Sequence, residues 1–123
     1  MGYELRVERP APLGFAELAT VLGQAGFEFR GSQEAGEVLA RHGEGVHAIA
    51  VWNGGGLSGT PGSDWQVAQL ARVSALLGAR LVGEDGESYA IRDGLVEQLN
   101  GSAAYEFGKI DEILAAGPAV WSR

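Results

Sequence analysis

The chain contains no cysteine, which excludes disulfides, cysteine-ligated zinc and thiol catalysis. Lysine is almost missing: Lys109 is the single one, and the arginines (Arg6, Arg9, Arg30, Arg41, Arg72, Arg80, Arg92, Arg123) form no stripe. Nine basic residues stand against sixteen acidic ones, a formal charge of −7. Neutralising phosphates needs clustered basic side chains, so a nucleic-acid partner is not expected. An anionic membrane surface would repel such a chain. No apolar run approaches the length of a membrane span, and the start, Met1 to Arg6, has no apolar signal region. The expectation is a soluble cytoplasmic protein folded as one domain over residues 1–123.

Glycine, by contrast, is abundant, with 20 residues in 123. Average usage is about 7%. Most glycines fall between periodic segments, where tight turns are needed. With 46% hydrophobic and 20% charged residues, the composition is that of a globular domain. A chain of this length buries roughly two-thirds of its unfolded surface, enough for one core without staples.

Tyr3, Leu5 and Val7 alternate with charged neighbours, the period of a half-buried strand. Phe15, Leu18, Ala19 and Leu22 recur at helical spacing, and Gly26 supplies a stop. Phe27 to Arg30 and Glu37 to His42 read as strands around a polar loop, Gly31 to Gly36. Gly43-Glu44-Gly45 turns into Val46 to Trp52, the most apolar strand, which carries apolar groups on both faces. Such a strand is expected in the middle of a sheet, covered on both sides. Ser63 to Gln66 fits a capping box at the start of a helix that runs through Leu77 and stops at Gly78. Arg80 to Val82 and Ser88 to Ile91 flank Asp85-Gly86, a strong hairpin signal. Asp93 is expected to cap a short helix through Leu99. Ala103 to Phe107 fits helix or strand, and Lys109 to Ala116 reads as a helix ended by Gly117-Pro118. The expected fold is α+β: a two-layer sandwich, ferredoxin-like or related, with a mostly antiparallel sheet, two main helices and a helical C-terminal segment.

The main chemical candidate is the glycine-rich loop 53–63. Gly54 to Gly59 matches G-x-G-x-x-G after an apolar strand, a pattern whose backbone amides can cradle a phosphate. Thr60-Pro61-Gly62, however, separates it from the helix, whereas a dinucleotide loop places its third glycine inside the helix. No lysine follows, which excludes a Walker A loop. The ligand-binding candidates around this loop are Trp52, Asn53, Gly54, Gly56, Ser58, Gly59, Ser63, Asp64 and Trp65. Paired tryptophans beside a loop suit a pocket or an interface, or simply a core and a helix staple. His42 and His47 face each other if Glu44-Gly45 is a two-residue turn and lie on opposite faces if Gly43 to Gly45 is a three-residue loop, and two histidines alone do not define a metal site. Glu84-Asp85-Gly86-Glu87 lacks the calcium-loop pattern and reads as a solvated turn. No catalytic residues, metal site or cofactor are assigned.

The stretch from Leu70-Ala71-Arg72 to Gly83-Glu84-Asp85-Gly86-Glu87 is similar to the endings of small bacterial α+β proteins, some of them acidic partners of toxins. The resemblance implies an immunity- or antitoxin-like protein partner. The expected function is a protein–protein interaction module, homodimeric or docking a basic surface, rather than an enzyme. The alternative is a small ligand-binding domain or enzyme that uses loop 53–63 for a phosphate-bearing small molecule.

Overall fold

The structure is a computed structural model that describes residues 3–121. The fold is α+β: among the described residues, nine strands form one antiparallel sheet, accompanied by three helices. The elements run β1 (Leu5–Glu8), α1 (Phe15–Gln24), β2 (Glu28–Gly31), β3 (Ala35–His42), β4 (Gly45–Asn53), β5 (Gly56–Gly59), α2 (Asp64–Leu76), β6 (Arg80–Gly83), β7 (Ser88–Arg92), β8 (Leu95–Asn100), β9 (Ala103–Lys109) and α3 (Ile110–Ala116). No described helix is long and apolar enough to cross a membrane.

The strand order is β2-β3-β4-β5-β1-β6-β7-β8-β9. Two four-strand meanders, β2 to β5 and β6 to β9, are zipped together by β1. Leu5 of β1 pairs with Gly59 on one side and with Gly83 on the other. This sheet is larger than the sandwich expected from the sequence. Of the three additional strands, β5 lies in the glycine-rich stretch expected to be a loop, and two come from the C-terminal third, where the helix expected after Asp93 is instead strand β8 and where 103–109 is strand β9. Asp93-Gly94 closes the β7–β8 hairpin, with Arg92 opposite Leu95. Each strand is stabilised by the next, so weakly patterned segments become strands once a neighbour offers a ladder.

The core lies between the sheet and the helices. Leu5 and Val7 of β1, Leu57 of β5 and Leu81 of β6 pack in one cluster with Val67, Leu70 and Val73 of α2. Because α2 also contacts α1 and α3, burial wraps most of its circumference, including Gln69 and Ser74. Ser74 Oγ is satisfied by the Leu70 carbonyl at 3.0 Å. Arg72 Nη1 donates to Gln69 at 2.7 Å and the guanidinium lies over Phe27, 5.0 Å from the ring centre.

Strand β4 is interior, between β3 and β5, but it is not sheltered on both faces. Val46 is 40% and Val51 52% exposed. The missing alternation has another cause, a β-bulge. Val38 pairs with Ala50 while Leu39 pairs with Ala48, which leaves Ile49 without a partner residue. Adjacent Ile49 and Ala50 are therefore both buried, as a bulge permits. The Ile49 carbonyl accepts a hydrogen bond from Gln66 Nε2 at 3.0 Å, so the start of α2 is tied to the bulge.

Candidate functional site

The glycine run is a hairpin, not a helix-capping cradle. Asn53 pairs with Gly56, and Gly54-Gly55 forms the turn between β4 and β5. Gly59 ends β5 beneath α2. A Cβ there would stand 2.6 Å from the Ile49 carbonyl oxygen and 3.1 Å from Leu70, so close helix–sheet packing explains its glycine. The chain then passes through Thr60-Pro61-Gly62 to Ser63, the N-cap of α2. Ser63 Oγ accepts from Gln66 N at 3.1 Å, as its position in the sequence implies. Gln66 reaches back one residue further than a capping box requires: its Oε1 accepts from Gly62 N at 3.2 Å.

The candidate residues divide between different surroundings. Asn53, Gly56 and Ser58 border a cleft of about 530 Å³, whose other wall is the segment from Glu4 to Leu13. Trp52 lies in the core, 2% exposed, with its indole N–H donating to the Gln33 carbonyl at 2.7 Å. Trp65 is equally buried and receives His42 and His47 edge-on, with ring centres 6.2 and 5.5 Å away. Both histidines thus share a face, because His42 pairs with Gly45 across a two-residue turn, Gly43-Glu44. Asp64 accepts from the Trp121 indole N–H at 2.8 Å and borders a second cleft of about 260 Å³ with Lys109 and Glu112.

The first cleft holds Arg6, Glu8 and Arg9, which local pattern alone does not reveal because β1 meets the hairpin only through sheet register. These charges are already engaged. Arg6 Nε donates to Glu8 at 2.9 Å. Arg9 binds Glu17 and donates to the carbonyls of Leu77 at 2.6 Å, Pro12 at 3.0 Å and Ala11 at 3.1 Å. Its guanidinium therefore locks the β1–α1 connection to the C-terminal end of α2 and holds the Glu17 carboxyl below its usual range, mainly through their hydrogen bond. Ser58 lines this cleft and neither histidine does, so no serine–histidine pair is assembled there.

A third constellation emerges at the acidic turn 84–87, which the sequence suggests is simply solvated. Glu87 is only 4% exposed. Its Oε2 accepts from Tyr3 at 2.6 Å and from Tyr89 at 2.7 Å, and its Oε1 accepts from Asp85 N at 3.1 Å. Burial opposes ionisation, but these donors outweigh it and hold the carboxyl below its usual range. Burial and the hydrogen bond to Glu87 push the Tyr3 phenol up to about 12, and Tyr89 moves in the same direction for the same reasons. Nearby, Glu4 N donates to Glu84 at 2.7 Å.

Comparisons with family models, with curated proteins and with solved structures return no match for this chain.

Proposed function

We propose that this chain is a cytoplasmic protein–protein interaction module that self-associates as a homodimer. The observation that supports this reading is Val51, 52% exposed, together with Val46, 40% exposed, on an interior strand of the sheet. By alternation, both side chains point away from the core that takes up Trp52 and Ala40. Arg41–Glu28 and Arg30–Glu37 ion pairs flank them, at 2.6 and 2.7 Å, a polar rim around an apolar centre. The charge of −7 favours fast capture of a basic partner, in the manner of an immunity or antitoxin protein.

Within this reading the fold is a two-layer, ferredoxin-like sandwich with additions. The order β4-β5-β1-β6 with α1 and α2 supports a split βαβ core, into which the β2–β3 hairpin is inserted and to which β7 to β9 and α3 are appended.

Sedimentation velocity over a wide concentration range tests the proposal. The native chain is expected to sediment as a dimer and Val51→Lys as a folded monomer. A native chain that remains monomeric throughout, with no binding to a basic protein at low salt, would overturn it. A second reading rests on the 530 Å³ cleft beside Gly55, Gly56 and Arg6, a size suited to a small molecule. There the chain would be a ligand-binding domain or enzyme for a phosphate-bearing compound, and a thermal upshift with sugar phosphates or nucleotides would favour it.

A further inference from the structure

Half of the aromatic side chains converge on one small pocket. Tyr3, Tyr89, Tyr105, Phe107 and Trp121 line a space of about 200 Å³ together with Gln98. The chain has three Trp, three Tyr and four Phe in all, so every tyrosine is spent on this wall. The rings come from separate parts of the chain: the segment before β1, strands β7 and β9, and the C-terminal tail. Phe107 stands perpendicular to Tyr105 at 5.1 Å between centres and tilted against Tyr89 at 6.2 Å. Trp121 is fixed at both ends of its residue. Its backbone N–H donates to the Gly62 carbonyl at 2.7 Å and its indole N–H to Asp64 at 2.8 Å.

The electrostatics of this pocket are of one sign. None of its lining residues is basic. At the hydroxyl ends of Tyr3 and Tyr89 lies Glu87, which pairs with no Arg or Lys among the described residues. Aromatic faces carry the negative side of the ring quadrupole and attract cations. The kind of cation follows from hydrogen-bond capacity. Both oxygens of Glu87 are occupied, Oε2 by two phenols and Oε1 by a backbone amide. The carboxylate thus supplies charge without offering a ready acceptor, which leaves only the Gln98 amide oxygen and the phenol oxygens as acceptors along the wall, too few for a cation that carries several N–H groups or a water shell. A primary ammonium or a hydrated metal ion would lose hydrogen bonds on entry. A quaternary ammonium has no N–H to satisfy. The volume is below the 300–1,000 Å³ typical of drug-sized ligands, which limits the occupant to a small head group.

We propose that the pocket bounded by Tyr3, Tyr89, Tyr105, Phe107 and Trp121 is a binding site for a small quaternary ammonium, of the choline class, held by this aromatic wall and by the Glu87 carboxylate at the hydroxyl ends of Tyr3 and Tyr89.

The test is a titration of the full chain with choline, followed by calorimetry and by amide chemical shifts. The uncharged isostere 3,3-dimethyl-1-butanol serves as the control. Choline should bind saturably, shift residues 105–107 and 121, and bind at least about tenfold more tightly than the isostere. Tyr105 is 61% exposed on an edge strand, so variants there should keep the fold. Tyr105→Phe should bind within about twofold of the native chain, and Tyr105→Leu at least about fivefold more weakly. Equal binding of choline and its isostere, no saturable choline binding, or native-like affinity in Tyr105→Leu would each overturn the proposal. Co-sedimentation with phosphatidylcholine vesicles distinguishes the source: pelleting assigns a lipid head group, and choline binding without pelleting assigns the free cation, each in accord with the same recognition chemistry.

Discussion

The Glu87 carboxylate occupies the space where a side chain on Gly83 would begin. A Cβ built on Gly83 runs directly into the Glu87 carboxyl group. Gly83 is itself the last residue of β6, paired with Leu5, and its N–H donates to the Glu87 carbonyl at 2.8 Å. The glycine is needed here for room rather than for an unusual backbone angle. Gly83→Ala should therefore expel the carboxylate from its three donors and cost about 2–4 kcal/mol of stability. The two positions share one space, so the cost should be markedly smaller when Gly83→Ala is made on top of Glu87→Ala. Denaturant unfolding of the two single variants and the double variant measures this coupling. Additive losses would mean that the collision is relieved elsewhere.

The same carboxylate contributes to the acid limb of stability. Burial raises the Glu87 pKa, but hydrogen bonds from Tyr3, Tyr89 and the Asp85 amide lower it more, so the folded value lies below the ordinary 4.5. A depressed folded pKa adds stability above the ordinary value, and that stability is lost as pH falls through the folded one. The tyrosines act at the other end of the scale. Tyr3 moves from 10.0 to about 12, first through burial and then through its hydrogen bond to Glu87. Its contribution is complete below pH 10 and declines as pH rises towards 12. Tyr89→Phe removes one donor from Glu87, so its acid unfolding limb should shift to higher pH. Unfolding midpoints taken from neutral to acid pH check this; an unmoved limb would show that Tyr89 does not hold the carboxylate.

At the start of α2, two side chains do different amounts of work. Ser63 satisfies one amide, Gln66 N. Gln66 satisfies Gly62 N and the Ile49 carbonyl at the β4 bulge. Ser63→Ala should cost about 1 kcal/mol, the usual value of an N-cap. Gln66→Ala leaves two part-buried backbone groups without partners and should cost about 2–3 kcal/mol. Urea midpoints of the two variants rank them, and a larger loss for Ser63→Ala would remove the tie between helix and bulge from the account.

These contrasts show which parts of the structure could be read locally. Strand β1, helix α1 and the Ser63 cap follow from alternation, helical spacing and one side-chain bond, all within a few residues. The nature of the glycine run does not, because the same pattern serves a phosphate cradle and a hairpin. Register decides it, with Asn53 opposite Gly56. The bulge at Ile49 imitates a doubly covered strand for the same reason. The acidic turn was the least legible. Tyr3 and Glu87 are 84 positions apart, and they meet only because Leu5 of β1 pairs with Gly83 of β6. No spacing rule encodes that pairing.

The segment after Arg92 gives the sharpest test of helix against strand. Asp93 and Gly94 have φ of 53° and 76°, the paired positive angles of a type I′ hairpin turn. Aspartate is also a good helix cap, and this double competence is what makes the sequence ambiguous. The two structures give opposite signs for one substitution. If Asp93 capped a helix, Gly94→Ala would stabilise the chain, since alanine exceeds glycine by about 1 kcal/mol inside a helix. In the hairpin, alanine must adopt a left-handed conformation, which costs about 1–2 kcal/mol. Gly94→Ala should therefore lower the thermal midpoint, and Asp93→Val should lower it further because a β-branched side chain tolerates positive φ poorly. A raised midpoint in Gly94→Ala would reverse the assignment of β8, and with it the sheet edge on which β9 and Tyr105 depend.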